Sequence, residues 1–377
     1  MCIVASALFC GAQRRSPVSP EKLSTGVPSV SLEEMAIVDV PSLAAESYGL
    51  PILCSADGTL YLQVASMVGM NGMGDSISIS SDGKRVVQFG RDKISDIPRA
   101  SIGDMFLEGN DLYLLTLTTA PAGHTVEMRT HSGEVQRGES IRAEYFISRF
   151  RSDGSYLGSV RLDLPFQPLH LGVFGNGDFL IAGAAAHSEP QQALVSSTGQ
   201  FQRSIDIKGD IHVQSDSNSS KANKDSIALS ELGSGPADTF SGGSLLGSVF
   251  GSQIIADGSN LLIIRPGIPR VFTVTPGGEV HAQDLKLPGK YKLDSIKALH
   301  DMWIANFTYD RNEKTGWKLA AFAINPTSGE PVKQYTYPDD LGFGIACTDG
   351  TEFTFVKANP ETKSLQLVKA AVTGPAQ

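Results

Sequence analysis

The sequence is poor in cysteine, in charge and in long apolar runs, and each shortage excludes a class of protein. Its four cysteines, Cys2, Cys10, Cys54 and Cys347, are too few and too scattered for a disulfide framework, a zinc ribbon or an iron–sulfur site. No stretch reaches the roughly 18 consecutive apolar residues of a membrane-spanning helix. Charged residues make up only 19%, and the net charge of −9 disfavours a nucleic-acid binder, because phosphate contacts need a basic surface.

Helical periodicity is scarce after residue 50, where short apolar runs alternate with turn signals. The stretch Pro168–Gly183, PLHLGVFGNGDFLIAG, shows this pattern, with alternating apolar residues on both sides of Gly175-Asn176-Gly177. It predicts a β-hairpin, because glycine supplies the positive φ of a tight turn. The same pattern recurs in Ile52–Leu62, Ile77–Phe89, Ile254–Ile264 and Ile345–Phe355. The chain is therefore predicted to be all-β.

Asp-Gly pairs recur within these hairpins and raise the question of calcium binding. They occur at positions 57–58, 82–83, 153–154, 257–258 and 349–350. Their spacing is that of hairpin turns and lacks the dense D-x-D-x-D-G pattern of a calcium loop. We therefore predict that they form turns.

The strand-like runs fall into groups of four that repeat about every 40 to 50 residues. This spacing predicts a β-propeller, because a twisted antiparallel blade buries both faces only when neighbouring blades stack on it. Six groups predict a six-bladed propeller over residues 31–377 as a single domain. The last group has only three runs, and we expect Met35–Val40 to supply its fourth strand and close the ring. Sandwiches fused in tandem are the alternative.

The repeated units resemble those of the six-bladed propeller superfamily that includes NHL-repeat proteins. The resemblance is clearest in PLHLGVFGNGDFLIAG with the following ALVSSTGQFQRSI, and in IIADGSNLLII with VFTVTPGGEV. It covers nearly the whole chain after residue 30 and implies fold rather than activity. Gluconolactonase-like enzymes of similar fold hold a divalent metal in the central channel, and this sequence shows no complete set of such ligands.

Residues 1–30 are predicted to be a signal segment and a linker. The start, MCIVASALFCGAQRR, resembles the end of a secretory signal, although it lacks a basic n-region. A ragged N-terminus and a true start further upstream are the alternatives. We expect export to the periplasm or the extracellular space.

Cys54 and Cys347 occupy equivalent places, each at the end of an apolar run before an Asp-Gly turn. In a closed ring they would be neighbours. The two cysteines could form a disulfide or remain a pair of buried thiols. We favour the thiols, because they are the usual state of strand cysteines.

Long insertions fall on one predicted face of the propeller, and short turns fall on the other. The insertions are Ala65–Asp75, Thr118–Glu144, Lys208–Ser252 and Thr308–Trp317. Long loops on a rigid scaffold are common binding sites, so we predict recognition on this face, with drift of unconstrained loops as the alternative. Met67, Met70 and Met73 form either an adaptable contact patch or a plug in the core.

The candidate ligand-binding residues are mostly histidines. His124, Arg129 and His131 belong to the second insertion and His212 to the third, while His170 and Asp301 lie near the starts of hairpins. The His-x6-His spacing of His124 and His131 could hold a metal, but no second compact ligand pair accompanies it. We therefore predict no metal.

The first strand of each group can line the central channel, so catalytic residues are expected near its start. The candidates are Asp104, His170, Asp294, His300 and Asp301. No G-x-S-x-G elbow, Walker loop or dinucleotide fingerprint is present. The sequence therefore predicts a monomeric, non-catalytic binding module for a protein, peptide or glycan, without a cofactor. A channel-metal-dependent lactonase- or lyase-like enzyme is the alternative, and a structural subunit of an envelope assembly is a third.

Overall fold

The computed structural model describes residues 26–375 except 45–46, 66–74, 130–134, 186–189, 208–251, 288–290, 300, 311–316, 339, 343, 360 and 363. These residues form 24 β-strands and one three-residue 3₁₀ helix, Arg91–Lys93. The all-β prediction is confirmed. Within the described part of the chain, no helix has the length and apolar character needed to cross a membrane.

Sixteen of the strands form four separate sheets of four consecutive antiparallel strands. The first sheet contains β2 (Ser47–Cys54), β3 (Leu60–Ala65), β4 (Ser76–Ile79) and β5 (Val86–Phe89). The second contains β6 (Ser101–Glu108), β7 (Asp111–Arg129), β8 (Val135–Arg151) and β9 (Tyr156–Leu162). The third contains β10 (Gln167–Val173), β11 (Phe179–Ala184), β12 (Pro190–Val195) and β13 (Phe201–Ser204). The fourth contains β14 (Gln253–Asp257), β15 (Asn260–Ile264), β16 (Arg270–Val274) and β17 (Val280–Asp284).

The remaining strands share one eight-stranded sheet. Its spatial order is β18 (Tyr291–Leu299), β19 (Met302–Asp310), β20 (Trp317–Ile324), β21 (Pro331–Thr336), β1 (Ser29–Ala44), β24 (Ser364–Pro375), β23 (Glu352–Asn359) and β22 (Cys347–Thr348). Six four-stranded sheets were predicted, but only four are separate. The other two predicted units are joined into one sheet because β1 hydrogen-bonds to β21 as well as to β24. The N-terminal strand is also longer than the predicted Met35–Val40 and begins inside the predicted linker.

Apolar side chains pack each sheet against the next. One cluster joins the second, third and fourth sheets through residues such as Phe106, Phe179 and Phe272. Others join the first sheet to the second, and the fourth sheet to β18–β20. Ile52 of the first sheet packs with Val356 of β23, so the two ends of the chain of sheets also meet. The architecture is therefore propeller-like, with four-stranded antiparallel units around a common axis.

The Asp-Gly pairs form turns, as predicted. All five glycines have positive φ, between 61° and 94°. The carboxylates of four of the aspartates, Asp57, Asp82, Asp153 and Asp349, accept a hydrogen bond from the backbone N–H two residues later. Hydrogen bonds from Ser80 and Lys84 lower the pKa of Asp82 to about 2. The hydrogen bonds of the turns therefore explain why aspartate occurs at these positions.

Gly199, in the turn between β12 and β13, has both a conformational and a steric requirement for glycine. Its φ is +82°, and an added Cβ would clash with the carbonyl oxygen of Arg161. We expect Gly199→Ala to lower the free energy of unfolding by more than the roughly 1–3 kcal/mol that the backbone conformation alone costs. Urea unfolding monitored by circular dichroism measures the loss.

Gly258→Ala is the matched control, because Gly258 has a φ of +61° and open space around the added Cβ. It should show the conformational cost alone. Equal losses in the two variants would contradict a role for the contact with Arg161.

Candidate functional site

The structure places the predicted site residues in very different surroundings. His131 and His212 lie outside the described residues, as do His300 and the three clustered methionines. His124 and Arg129 fall within β7, where only the backbone is described. Asp301 is exposed in the turn between β18 and β19. Of the six predicted ligand-binding residues, His170 is the one with a buried side chain among those described.

The interpretation of Thr118–Glu144 as a long loop was wrong. β7 and β8 continue through it as a two-stranded ribbon, paired from Thr118 opposite Glu144 to Arg129 opposite Val135. β9 ends opposite Tyr145, so it does not extend along this ribbon. Short alternating segments such as TVEMR support strand pairing, although their polar and charged composition resembles that of a loop.

Irregular register in the innermost strands brings two predicted channel residues together. β6 has a bulge between Ile102 and Asp104, and β10 has one between Pro168 and His170. Nδ1 of His170 lies 3.6 Å from Oδ2 of Asp104, which also accepts a 2.9 Å hydrogen bond from the N–H of Leu171. Both side chains are buried. Because Asp104 is on β6 and His170 on β10, the pair links the second sheet to the third. A bulge redirects side chains in this way, and the sequence alone does not reveal it.

A cavity of about 640 Å³ lies on the axis, at the face that carries the short turns. Its walls come from the ends of β2, β6, β14 and β18 and from β22–β24, and they include Phe106, Ile255 and Leu299. Asp57 and Asp349 are exposed at its rim. The volume is within the range of ligand pockets. This cavity is thus on the face opposite the predicted binding loops.

Lys297 lies between this cavity and a smaller one. It lines both the large cavity and a 30 Å³ cavity that also borders Asp294 and Asn306. Its ammonium donates a hydrogen bond to the carbonyl oxygen of Ile52. Burial lowers the pKa of Lys297 to about 8, although Asp294 opposes the shift. Burial likewise raises the pKa of Asp294, and Ser295 and Lys297 oppose that shift.

Cys54 and Cys347 form a disulfide in the wall of the large cavity. Their Cα atoms are 5.5 Å apart, and the bond joins β2 to β22. The prediction that they are neighbours is confirmed, and the preference for two thiols was wrong. Strand composition could not decide between these states, because pairing depends on how the first and last sheets meet.

The described residues do not bring together a metal site. Among them, no three His, Cys, Asp or Glu side chains are grouped so that they could hold a metal ion. Asp104 pairs with His170, whereas Asp294 faces Lys297 and Asp301 is exposed.

Lys297 is the residue that the sequence analysis missed. Its one signal was a charged residue in the innermost strand of a predicted group, within the segment DSIKAL. Its hydrogen-bond partner Ile52 is 245 residues away, so no local pattern connects them.

Comparison with known proteins finds similarity in fold alone. No family model and no curated protein matches the sequence. Virginiamycin B lyase from Staphylococcus aureus is 12% identical with a TM-score of 0.41, over 91% of this chain and 100% of that one. The Pan2 WD40 domain from Neurospora crassa is 8% identical with a TM-score of 0.40, over 92% and 97%. A DUF4221 member from Bacteroides vulgatus is 8% identical with a TM-score of 0.44, over 92% and 99%. The sheet arrangement described above defines the class, an all-β protein with a propeller-like fold.

Proposed function

We propose that this protein is a non-catalytic binding module that receives a segment of a protein or peptide in its axial cavity. The observation that carries the proposal is the 640 Å³ cavity, whose wall combines apolar side chains such as Ile255 and Leu299 with the ammonium of Lys297 and with carboxylates at the rim. A concave apolar site with a few placed polar groups is the usual form of a binding site. The enzyme alternative would need a metal-ligand set that the described residues do not bring together.

The proposed scaffold is a six-bladed propeller of the NHL-repeat type. In it, β18–β21 form the fifth blade, and β22–β24 with β1 form the sixth and close the ring. The pairings support this division, because β1 matches ten residues of β24 but only three of β21. The disulfide supports the further proposal of export, since such bonds persist in oxidising compartments.

Recognition through the opposite face stays a prediction. His124, Arg129, His131 and His212 carry it, and none of their side chains is described. A glycan ligand and a monomeric state are likewise predictions.

Blocking the cavity tests the proposal. Ala256 is exposed and lines the cavity, so Ala256→Trp would fill its mouth. We expect peptides selected from a random display library on the native protein to bind this variant at least tenfold more weakly, as measured by fluorescence anisotropy.

Val332→Trp is the control, because Val332 is 48% exposed on β21 and does not line the cavity. It should bind the selected peptides as the native protein does. Undiminished binding to Ala256→Trp would place recognition elsewhere and overturn the proposal, as would failure to select any peptide.

A further inference from the structure

The charges of the cavity are arranged in layers. Lys369 donates to Glu352 at 2.8 Å and to Thr354 at 2.9 Å, so these two opposite charges at one wall compensate each other. Asp57 and Asp349 remain at the rim. The hydroxyl of Ser55 lowers the pKa of Asp57, and the backbone N–H groups of Glu352 and Thr351 lower the pKa of Asp349. Both rim carboxylates are therefore ionised at neutral pH, and the outer layer is negative.

Lys297 forms the positive inner layer. Among the described residues, no carboxylate oxygen lies within 4.0 Å of its Nζ, and Ile52 O is its hydrogen-bond acceptor. An ammonium has three donors, and a partly buried one is stabilised when a carboxylate accepts from it. The wall of the same cavity also carries apolar side chains, among them Phe106, Ile255 and Leu299.

We infer that the cavity holds the C-terminus of a peptide, with its carboxylate on Lys297, an apolar last side chain against the wall, and a basic residue near Asp57 and Asp349. The inference rests on the proposed function and names the chemistry of its ligand. Such a peptide would place its carboxylate on Lys297, its apolar side chain on the apolar part of the wall and its cation at the negative rim, so its charges complement those of the cavity.

The affinity for the peptide should depend on pH, because Lys297 can lose its proton. A carboxylate requires the protonated amine, whose pKa in the free protein is about 8, so affinity should be constant near pH 7 and fall as pH rises above 8. The cavity residues contributed by β6 and β14 are apolar. The charged groups that line the same two cavities as Lys297 are Asp294 on its own strand, Asp57 from the first sheet, and Asp349, Glu352 and Lys369 from β22–β24 and their turn.

A peptide array tests the inference. The probes are hexapeptides with a free C-terminus, a Leu, Ile, Val or Phe at the last position and an Arg two positions earlier. A second set has the same sequences with an amidated C-terminus. A third set is also amidated and carries a Glu within the sequence. We expect binding to the free-carboxylate set, at least tenfold weaker binding to the amidated set, and at least a tenfold loss for the free set in Lys297→Met.

Two further variants make the result specific to Lys297. Lys286→Met removes a surface charge paired with Glu330 and should bind as the native protein does. Lys297→Arg should retain binding at pH 7 and lose the decline above pH 8, because arginine stays protonated. Thermal melting of each variant checks that it is folded at the temperature of the binding measurement.

The outcomes separate the two proposals. If Ala256→Trp abolishes binding but amidation and Lys297→Met do not change it, the binding function stands and the carboxylate inference is overturned. If the internal Glu restores binding to amidated peptides through Lys297, the carboxylate comes from a side chain, and the C-terminal assignment is wrong. If no probe binds the native protein, the inference is overturned, and the library selection with Ala256→Trp decides the binding function.

Discussion

Replacing Cys54 and Cys347 with alanine should lower the free energy of unfolding by about 5 kcal/mol, the largest effect expected for this protein. The disulfide links residues 293 positions apart, and the entropy that a crosslink removes from the unfolded chain grows with the length of the closed loop. The pairing of β1 with β24 joins the same part of the fold without a covalent bond, which makes this value an upper estimate. Urea unfolding under non-reducing conditions measures the change.

Single variants and a reductant control this experiment. Cys54→Ala alone should lose about as much stability as the double variant, because either change removes the bond. A reducing agent should lower the urea midpoint of the native protein and leave that of the double variant unchanged. A native midpoint insensitive to complete reduction would show that noncovalent contacts alone hold the two ends together.

Asn306→Leu should cost about 2–5 kcal/mol, because it leaves two buried backbone groups without partners. Nδ2 of Asn306 donates to the carbonyl oxygen of Ile345 at 3.0 Å, and its Oδ1 accepts from the N–H of Ile345 at 3.0 Å. A third bond, also 3.0 Å, goes from Nδ2 to the hydroxyl of Ser295. Asn306 thus connects β19 to the segment before β22. Urea unfolding measures the loss.

Asn325→Leu is the matched control. Oδ1 of Asn325 also accepts two backbone bonds, from Thr327 at 2.9 Å and Ser328 at 3.1 Å, but in an exposed turn. Water can replace these bonds, so the cost should be about 1 kcal/mol. A loss in Asn306→Leu no greater than in this control would show that Ile345 finds other partners.

Local chemistry explains why the strands and turns were predictable. Gly58, Gly83 and their counterparts occupy positive φ because only glycine does so without a steric penalty. Leu60 and Leu62 are buried on one side of β3 because alternate side chains point the same way. Both effects depend only on residues close together in the sequence, so the turns and strands could be predicted from the sequence.

The joining of the sheets was less predictable. That β1 pairs with β24 follows the expectation of a missing strand, whereas its parallel contact with β21 does not. The ribbon at Thr118–Glu144 was mistaken for a loop because its alternating segments are short and its sequence is rich in polar and charged residues. Alternation reports which face is buried and says nothing of which strand lies beside it.

By itself, the sequence determined the all-β class, the hairpins and the Asp-Gly turns, since each depends on backbone preferences and contacts between near neighbours. Only the tertiary structure decided that Cys54 bonds to Cys347, that Asp104 meets His170, and that Lys297 reaches Ile52 at the base of an axial cavity. These contacts join residues 293, 66 and 245 positions apart. They exist because the sheets pack around one axis, and that packing is a property of the whole chain.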